Sequence, residues 1–114
     1  MPHFIIHCSE NILTLKSEEE ILRLIHDTAD ATELFKKGDV KVRVQSFKSY
    51  TVGNTKSDFI HVFGNIMEGR TIEQKADLSK RVITKLKSLF PDVPVVSMNV
   101  SEFEKATYCN RDMI

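Results

Sequence analysis

The chain carries the same pattern twice: an alternating apolar run, a run with apolar residues at helical spacing, and a second alternating run. The alternating runs lie at about residues 2–8, 39–47, 58–67 and 93–103. One helical run follows Ser17 and the other lies between Thr71 and Pro91. Alternation is typical of strands, and a period near 3.6 of amphipathic helices. The order predicts an α+β fold, in which two β-α-β units form a two-layer sandwich with both helices on one face of a four-stranded mixed sheet.

Capping signals mark the starts of both helices. Ser17 and Glu20, and again Thr71 and Gln74, have the spacing of a capping box, in which each side chain satisfies a free backbone N–H of the first turn. Pro91 cannot continue a helix and predicts the end of the second one.

The end of the first helix is predicted from the residues around Phe35. Phe35 continues the apolar stripe of that helix, and Lys36 and Lys37 have the positive charge that suits a last turn. Gly38 is placed to close it. We therefore expect this helix to run through Phe35 and to end with Lys36 and Lys37 in its last turn.

The third predicted strand has apolar residues on both faces. One face carries the Phe59 series, which is Phe59, His61, Phe63, Asn65 and Met67, and the other carries the Ile60 series, which is Ile60, Val62, Gly64 and Ile66. Because both helices cover one side of the sheet, Phe47 and either the Phe59 or the Ile60 series must face the other side. A second or third subunit is the economical cover for such a face.

Composition limits the classes of function. At 114 residues, the chain is expected to form a single domain over residues 1–114. Sixteen basic residues balance sixteen acidic ones, so no basic surface for nucleic acid is predicted. Cys8 and Cys109 have no metal-site or disulfide-scaffold spacing, and no apolar run is long enough to span a membrane. We expect a soluble cytoplasmic protein.

Pro2 follows the initiator Met1 directly. Methionine before so small a residue is usually removed, which would leave Pro2 as a free secondary amine. An α-amino group titrates at about 7.7–8.0 in peptides and can act as a general base near neutral pH. The alternative is that Pro2 only begins an edge strand, where its missing N–H does no harm.

Three cations are candidates for binding anions. Lys41 and Arg43 lie two residues apart on one strand and so share a face, while Arg70 lies between a strand and a helix N-terminus. The alternatives are solvated edge charges for the first two and an ordinary loop arginine for the third. The four histidines have no metal-binding spacing, and we predict no metal site.

Two short motifs stand out: Met1-Pro2-His3-Phe4-Ile5 with Cys8-Ser9 and Asn11-Ile12, and Glu68-Gly69-Arg70-Thr71 with Glu73-Gln74-Lys75. They resemble motifs of the 5-carboxymethyl-2-hydroxymuconate Δ-isomerase family of the tautomerase superfamily. The resemblance implies a tautomerase-like homotrimer without a cofactor, with Pro2 as the base and with Arg70 and Arg43 binding substrate carboxylates. Lys41 stands where the family strand has the first arginine of Arg-x-Arg. A lysine offers a point charge instead of a bidentate fork, which leaves the substrate open.

The implied reaction is keto-enol proton transfer on a small anionic dienol, an unsaturated 2-hydroxy di- or tricarboxylate from the catabolism of aromatic compounds. A related tautomerase of different specificity, acting for example on a phenylpyruvate-like enol, is one alternative. A non-catalytic trimeric domain that only binds an anion through Lys41, Arg43 and Arg70 is another.

Overall fold

The computed structural model describes all 114 residues, in four strands and three α-helices. In chain order these are β1 (His3–Ser9), α1 (Ile12–Leu15), α2 (Glu18–Ala31), β2 (Lys41–Phe47), β3 (Phe59–Met67), α3 (Ile72–Leu89) and β4 (Val95–Phe103). A short 3₁₀ turn, Arg111–Met113, follows near the C-terminus. No helix combines the length and the apolar character that crossing a membrane requires.

The four strands form one mixed sheet in the order β2-β1-β3-β4. β1 pairs in parallel with β2, and β3 in parallel with β4, so each half is a β-α-β unit. The central pair, β1 and β3, is antiparallel and joins the two halves. The predicted α+β sandwich is confirmed, and each observed strand begins only one or two residues after its predicted start.

Strict alternation of burial places the core on one side of the sheet. Phe4 and Ile6 of β1 are at most 1% exposed, as are Ile60 and Val62 of β3. They form one cluster with the buried stripes of α2 and α3, so both helices lie on the same face. The Ile60 series therefore faces the helices, and the Phe59 series faces the opposite side, which we call the open face.

The two helix starts differ in how completely they are capped. At α3 the box is complete, because the Thr71 hydroxyl accepts from the Gln74 N–H and the Gln74 side chain accepts from the Thr71 N–H. At α2 only half of the box forms: the Ser17 hydroxyl accepts from the Glu20 N–H at 3.2 Å. Three glutamates in the first turn of α2 still favour its start, because they oppose the positive end of the helix dipole.

The prediction that the first helix runs through Phe35 and ends at Lys37 is wrong. α2 ends at Ala31, and Glu33 takes a left-handed backbone conformation with φ of 60° that breaks the helical path. Phe35 nevertheless enters the core from the following irregular segment, where its ring meets Phe4 edge-on with centroids 5.9 Å apart. Phe35 therefore has the sequence spacing of a buried helical residue, although it lies in the connection that follows the helix. Gly38 has a positive φ of 85°, but it closes a turn and not the helix.

Gly64 of β3 lies opposite Phe4 of β1 in the central pair. A Cβ atom at this position would lie 3.3 Å from a ring carbon of Phe4 and 2.9 Å from the terminal methyl of Met98. The absence of a side chain at residue 64 therefore makes room for the Phe4 ring under the helices.

We predict that Leu78→Ala lowers the free energy of unfolding by about 2–5 kcal/mol, because Leu78 is fully buried on α3 and the truncation leaves a cavity. Urea unfolding at one fixed protein concentration measures the change. Ile72→Ala on the same helix is the matched control, since Ile72 is 77% exposed and should change stability far less. Equal losses in the two variants would contradict the assignment of the core.

Candidate active site

Four chain segments converge at one end of the sheet, where strands begin and end, and we call this place the edge. β1 and β2 begin there, while β3, antiparallel to β1, and β4, parallel to β3, both end there. The residues at the starts of β1 and β2 and just after β3 therefore lie at the same end of the sheet, and they include Pro2, Lys41 and Arg70. This topology brings the candidate residues to the same edge although they are far apart in the sequence.

Pro2 is buried and hydrogen-bonded at this edge. Its side chain is less than 2% exposed, and its carbonyl accepts a hydrogen bond of 3.0 Å from the backbone N–H of Lys41. Burial and the hydrogen bond to β2 together set the orientation of the N-terminal residues that precede β1. With Met1 present, the Pro2 nitrogen is an amide nitrogen, and the terminal amine belongs to Met1.

Asp39 joins the terminal amine to Lys41. One carboxylate oxygen lies 3.1 Å from the Met1 nitrogen, and the other lies 3.2 Å from the Lys41 Nζ, which also donates to the Asp39 carbonyl at 2.7 Å. Burial acts to raise the pKa of Asp39, but hydrogen bonds from the amine and from Lys41, together with their charges, hold this pKa below its usual value. The edge thus contains one anion, the Asp39 carboxylate, that is paired with two cations, the terminal amine and Lys41.

Lys41 and Arg43 share the open face with His3, as their spacing predicts. His3 pairs with Lys41 in the β1–β2 register, and Arg43 donates from Nη1 to the Nδ1 of His3 at 3.1 Å. Burial lowers the pKa of His3, and the charges of Arg43, Lys41 and the N-terminus lower it further. The imidazole is therefore neutral at pH 7, with its Nδ1 as the acceptor.

Arg70 lies at the same edge but contacts other residues than Lys41 and Arg43 do. Its guanidinium donates to the carbonyls of Leu34 and Met67 and lies over the Phe35 ring, 5.3 Å from the centroid. Arg70 therefore fastens the connection between α2 and β2 to the end of β3. A guanidinium has five N–H donors, so donors remain beyond these two bonds.

Asp39 and His3 are functional candidates that sequence reasoning missed, although His3 lies in the first motif. Asp39 precedes Lys41 by two residues, and His3 follows Pro2, so both flank residues that were already candidates. The signal that could have found them is the parallel register of β1 and β2, which the sequence pattern leaves undetermined. His61 is fully engaged on the open face, where its ring nitrogens contact Ser97 and Asn99 at 2.7 Å.

The edge is open within one chain. Five surface grooves, among them one of about 440 Å³ between α2 and α3, are lined by residues other than Pro2, Lys41 and Arg70. The open face beside the edge is rich in aromatic rings, with His7 between Phe47 and Phe63 at centroid distances of 5.0 and 4.9 Å. No cluster of three or more His, Cys, Asp or Glu side chains is arranged to hold a metal ion.

The two paired β-α-β units, with a proline directly before the central strand, define a tautomerase-like protein. The chain belongs to the 5-carboxymethyl-2-hydroxymuconate isomerase family, whose model matches residues 2–114. The resemblance seen in the two sequence motifs is thereby confirmed.

Individual relatives agree with this assignment. The 5-carboxymethyl-2-hydroxymuconate Delta-isomerase of Escherichia coli is 25% identical over 92 residues, which cover 79% of this chain and 73% of that protein. The crystal structure of a 5-carboxymethyl-2-hydroxymuconate isomerase from Deinococcus radiodurans R1 superposes with a TM-score of 0.84 at 20% identity, covering 96% of this chain and 88% of that one. A fused 4-OT, solved as a symmetric trimer, has a TM-score of 0.79 at 15% identity and covers 96% and 92% of the two chains.

We predict that Arg43→Gln raises the pKa of His3 but leaves it below 6.5, because the charge of Arg43 is removed while the burial of the ring remains. Titration of the imidazole resonances by NMR measures the change. Arg23→Gln, on the exposed face of α2, removes the same charge at a distance and is the control. An unchanged His3 pKa in Arg43→Gln would show that the two groups are not in contact.

Proposed function

We propose that this chain is a cofactor-independent isomerase of a single domain, residues 1–114, that moves a proton on an unsaturated 2-hydroxy di- or tricarboxylate. The proposed substrate class is that of 5-carboxymethyl-2-hydroxymuconate, because the chain belongs to the family of that name. The observation that carries the proposal is the position of Pro2, which is buried and hydrogen-bonded to β2 directly beside Lys41.

In this proposal the Pro2 nitrogen becomes a secondary amine when Met1 is removed. The neutral amine takes the hydroxyl proton of the dienol, the O–H electron pair forms the new carbonyl, and the shifted double bond takes the proton back at carbon. The amine therefore acts first as base and then as acid. The conjugated chain of the substrate accepts the electrons, so no metal or organic cofactor takes part.

The cations have distinct roles in the proposed mechanism. Lys41 and Arg43 bind carboxylates on the open face, and their charge stabilises the dienolate that forms when the hydroxyl proton leaves. Arg70 uses its remaining N–H donors for a further carboxylate while it stays anchored to the Leu34 and Met67 carbonyls. Binding at several carboxylates aligns the reacting carbon with the amine.

We also propose that the protein is a homotrimer. The open face of one chain leaves Phe47, Phe63 and Ile5 only half-buried, and apolar surface of this kind is stabilised by association. The structurally similar fused 4-OT forms a symmetric trimer. A neighbouring copy would also supply the wall that the edge around Pro2 does not have within one chain.

We predict that a short Gly-Ser extension placed before Pro2 lowers kcat/KM for a 2-hydroxymuconate-type dienol by at least about 100-fold, because the base is converted to an amide. Ultraviolet absorbance follows the conversion, and intact mass verifies that Met1 is absent from the unextended protein. The same extension placed after Ile114 is the control, and circular dichroism checks the fold. Full activity of the N-terminally extended chain would remove Pro2 from the mechanism. Tight dienol binding without conversion by the unextended protein would instead indicate an anion-binding domain.

We predict that Arg43→Gln raises KM by about tenfold or more for a three-carboxylate enol, because a charge-assisted hydrogen bond to one carboxylate is lost. The effect on a phenylpyruvate-like enol with one carboxylate should be smaller. Steady-state kinetics with both substrates test this, with Arg23→Gln as the control. Faster turnover of the one-carboxylate enol by the unmutated protein would indicate a related tautomerase of different specificity.

A further inference from the structure

We propose that Asp39 is a positioning residue whose carboxylate pairs with the Pro2 amine once Met1 is absent, and so holds this amine in place and keeps it basic. The catalytic meaning of this pairing rests on the proposed function, whereas the pairing itself can be tested without any substrate. Asp39 belongs to the connection between α2 and β2 and does not lie in either motif that carries the family resemblance.

The carboxylate already contacts the chain terminus. Asp39 lies 3.1 Å from the Met1 nitrogen and is tied to Lys41 through both its side chain and its carbonyl. The Pro2 nitrogen is three covalent bonds from the Met1 nitrogen, so it lies within roughly 7 Å of the same carboxylate oxygen. When Met1 is removed, the Asp39 carboxylate loses one cationic partner, and the amine of Pro2 is the group that replaces it.

Neighbouring charges make this carboxylate important. Among the charged groups that act on His3, three are positive, namely Arg43, Lys41 and the N-terminus, and Asp39 is the only negative one. Without an anion, Arg43 and Lys41 would disfavour the protonated amine and make Pro2 a weak base. Asp39 opposes them, and it can do so because its own pKa is held low, so that it is ionised at neutral pH.

Other ionisable groups at the edge are engaged elsewhere or exposed. Arg70 donates to the Leu34 and Met67 carbonyls.

The neighbouring carboxylates also have partners. Glu68 accepts from the Lys105 N–H, and Glu102 pairs with Lys75 at 3.3 Å.

The lysines in the same connection as Asp39, Lys36 and Lys37, are exposed. Asp39 is therefore the carboxylate best placed to pair with the amine.

The chemical consequence concerns the strength of the base. A general base works best when the pKa of its conjugate acid lies near the working pH. An amine surrounded only by Lys41, Arg43 and a substrate-binding arginine would be neutral but too weakly basic to take a hydroxyl proton. Asp39 compensates part of this positive field, and its bond to Lys41 also sets the direction of that ammonium group.

The test is an NMR titration of the Pro2 amine in processed protein labelled with [¹⁵N]proline, comparing the unmutated chain with Asp39→Asn. We expect Asp39→Asn to lower the pKa of the amine by about one unit, because an opposite charge a few ångströms away is removed. The acid limb of the kcat/KM profile should move to lower pH by the same amount. Asp39→Glu should restore most of both values.

Asp92→Asn is the matched control, since Asp92 is exposed and precedes β4 at the other end of the sheet. Asp39→Ser provides a second variant if the amide variant does not fold. An amine pKa that is equally unchanged in Asp39→Asn, Asp39→Ser and Asp92→Asn would overturn the inference. A shifted amine pKa in a protein that converts no dienol would refute the proposed function and leave the pairing of Asp39 with the amine supported.

Discussion

The antiparallel pairing of β1 with β3 is the interaction on which the rest of the structure depends. Each β-α-β unit has one parallel strand pair and one long helix, but neither unit alone surrounds the core. The central pair aligns the two units, so that α2 and α3 cover the same face and the Ile60 series packs with Phe4 and Ile6 of β1 beneath them. The same alignment makes the start of β1 and the end of β3 adjacent, and this edge contains Pro2 and Arg70.

Much of this architecture could be predicted from the sequence, because the signals are local. Alternation in Val40-Lys41-Val42-Arg43-Val44 identifies a strand with one apolar and one charged face, and this places Lys41 and Arg43 on the side away from the helices. Thr71 and Gln74 specify the start of α3 to the residue, because the capping box is a contact between neighbours in the chain.

Features that depend on contacts between distant residues could not be predicted in the same way. Phe35 reads as the last position of a helical stripe, but its burial is determined by packing against Phe4 and by Arg70 lying over its ring. Likewise, the contact between Asp39 and the N-terminus depends on the register of β1 against β2. The sequence identifies Arg70 as a candidate cation, whereas its bonds to the Leu34 and Met67 carbonyls are visible only in the folded chain.

Gly64 carries a constraint that extends beyond this one molecule. Its missing side chain provides the space that the ring of Phe4 and the methyl of Met98 occupy. The volumes at positions 64 and 4 are therefore linked, because a larger residue at 64 crowds the Phe4 ring, whereas the flexible end of Met98 can move aside. Among homologues that keep the fold while most of their residues diverge, these two sites should consequently change together, as a compensating pair whose summed bulk stays nearly constant.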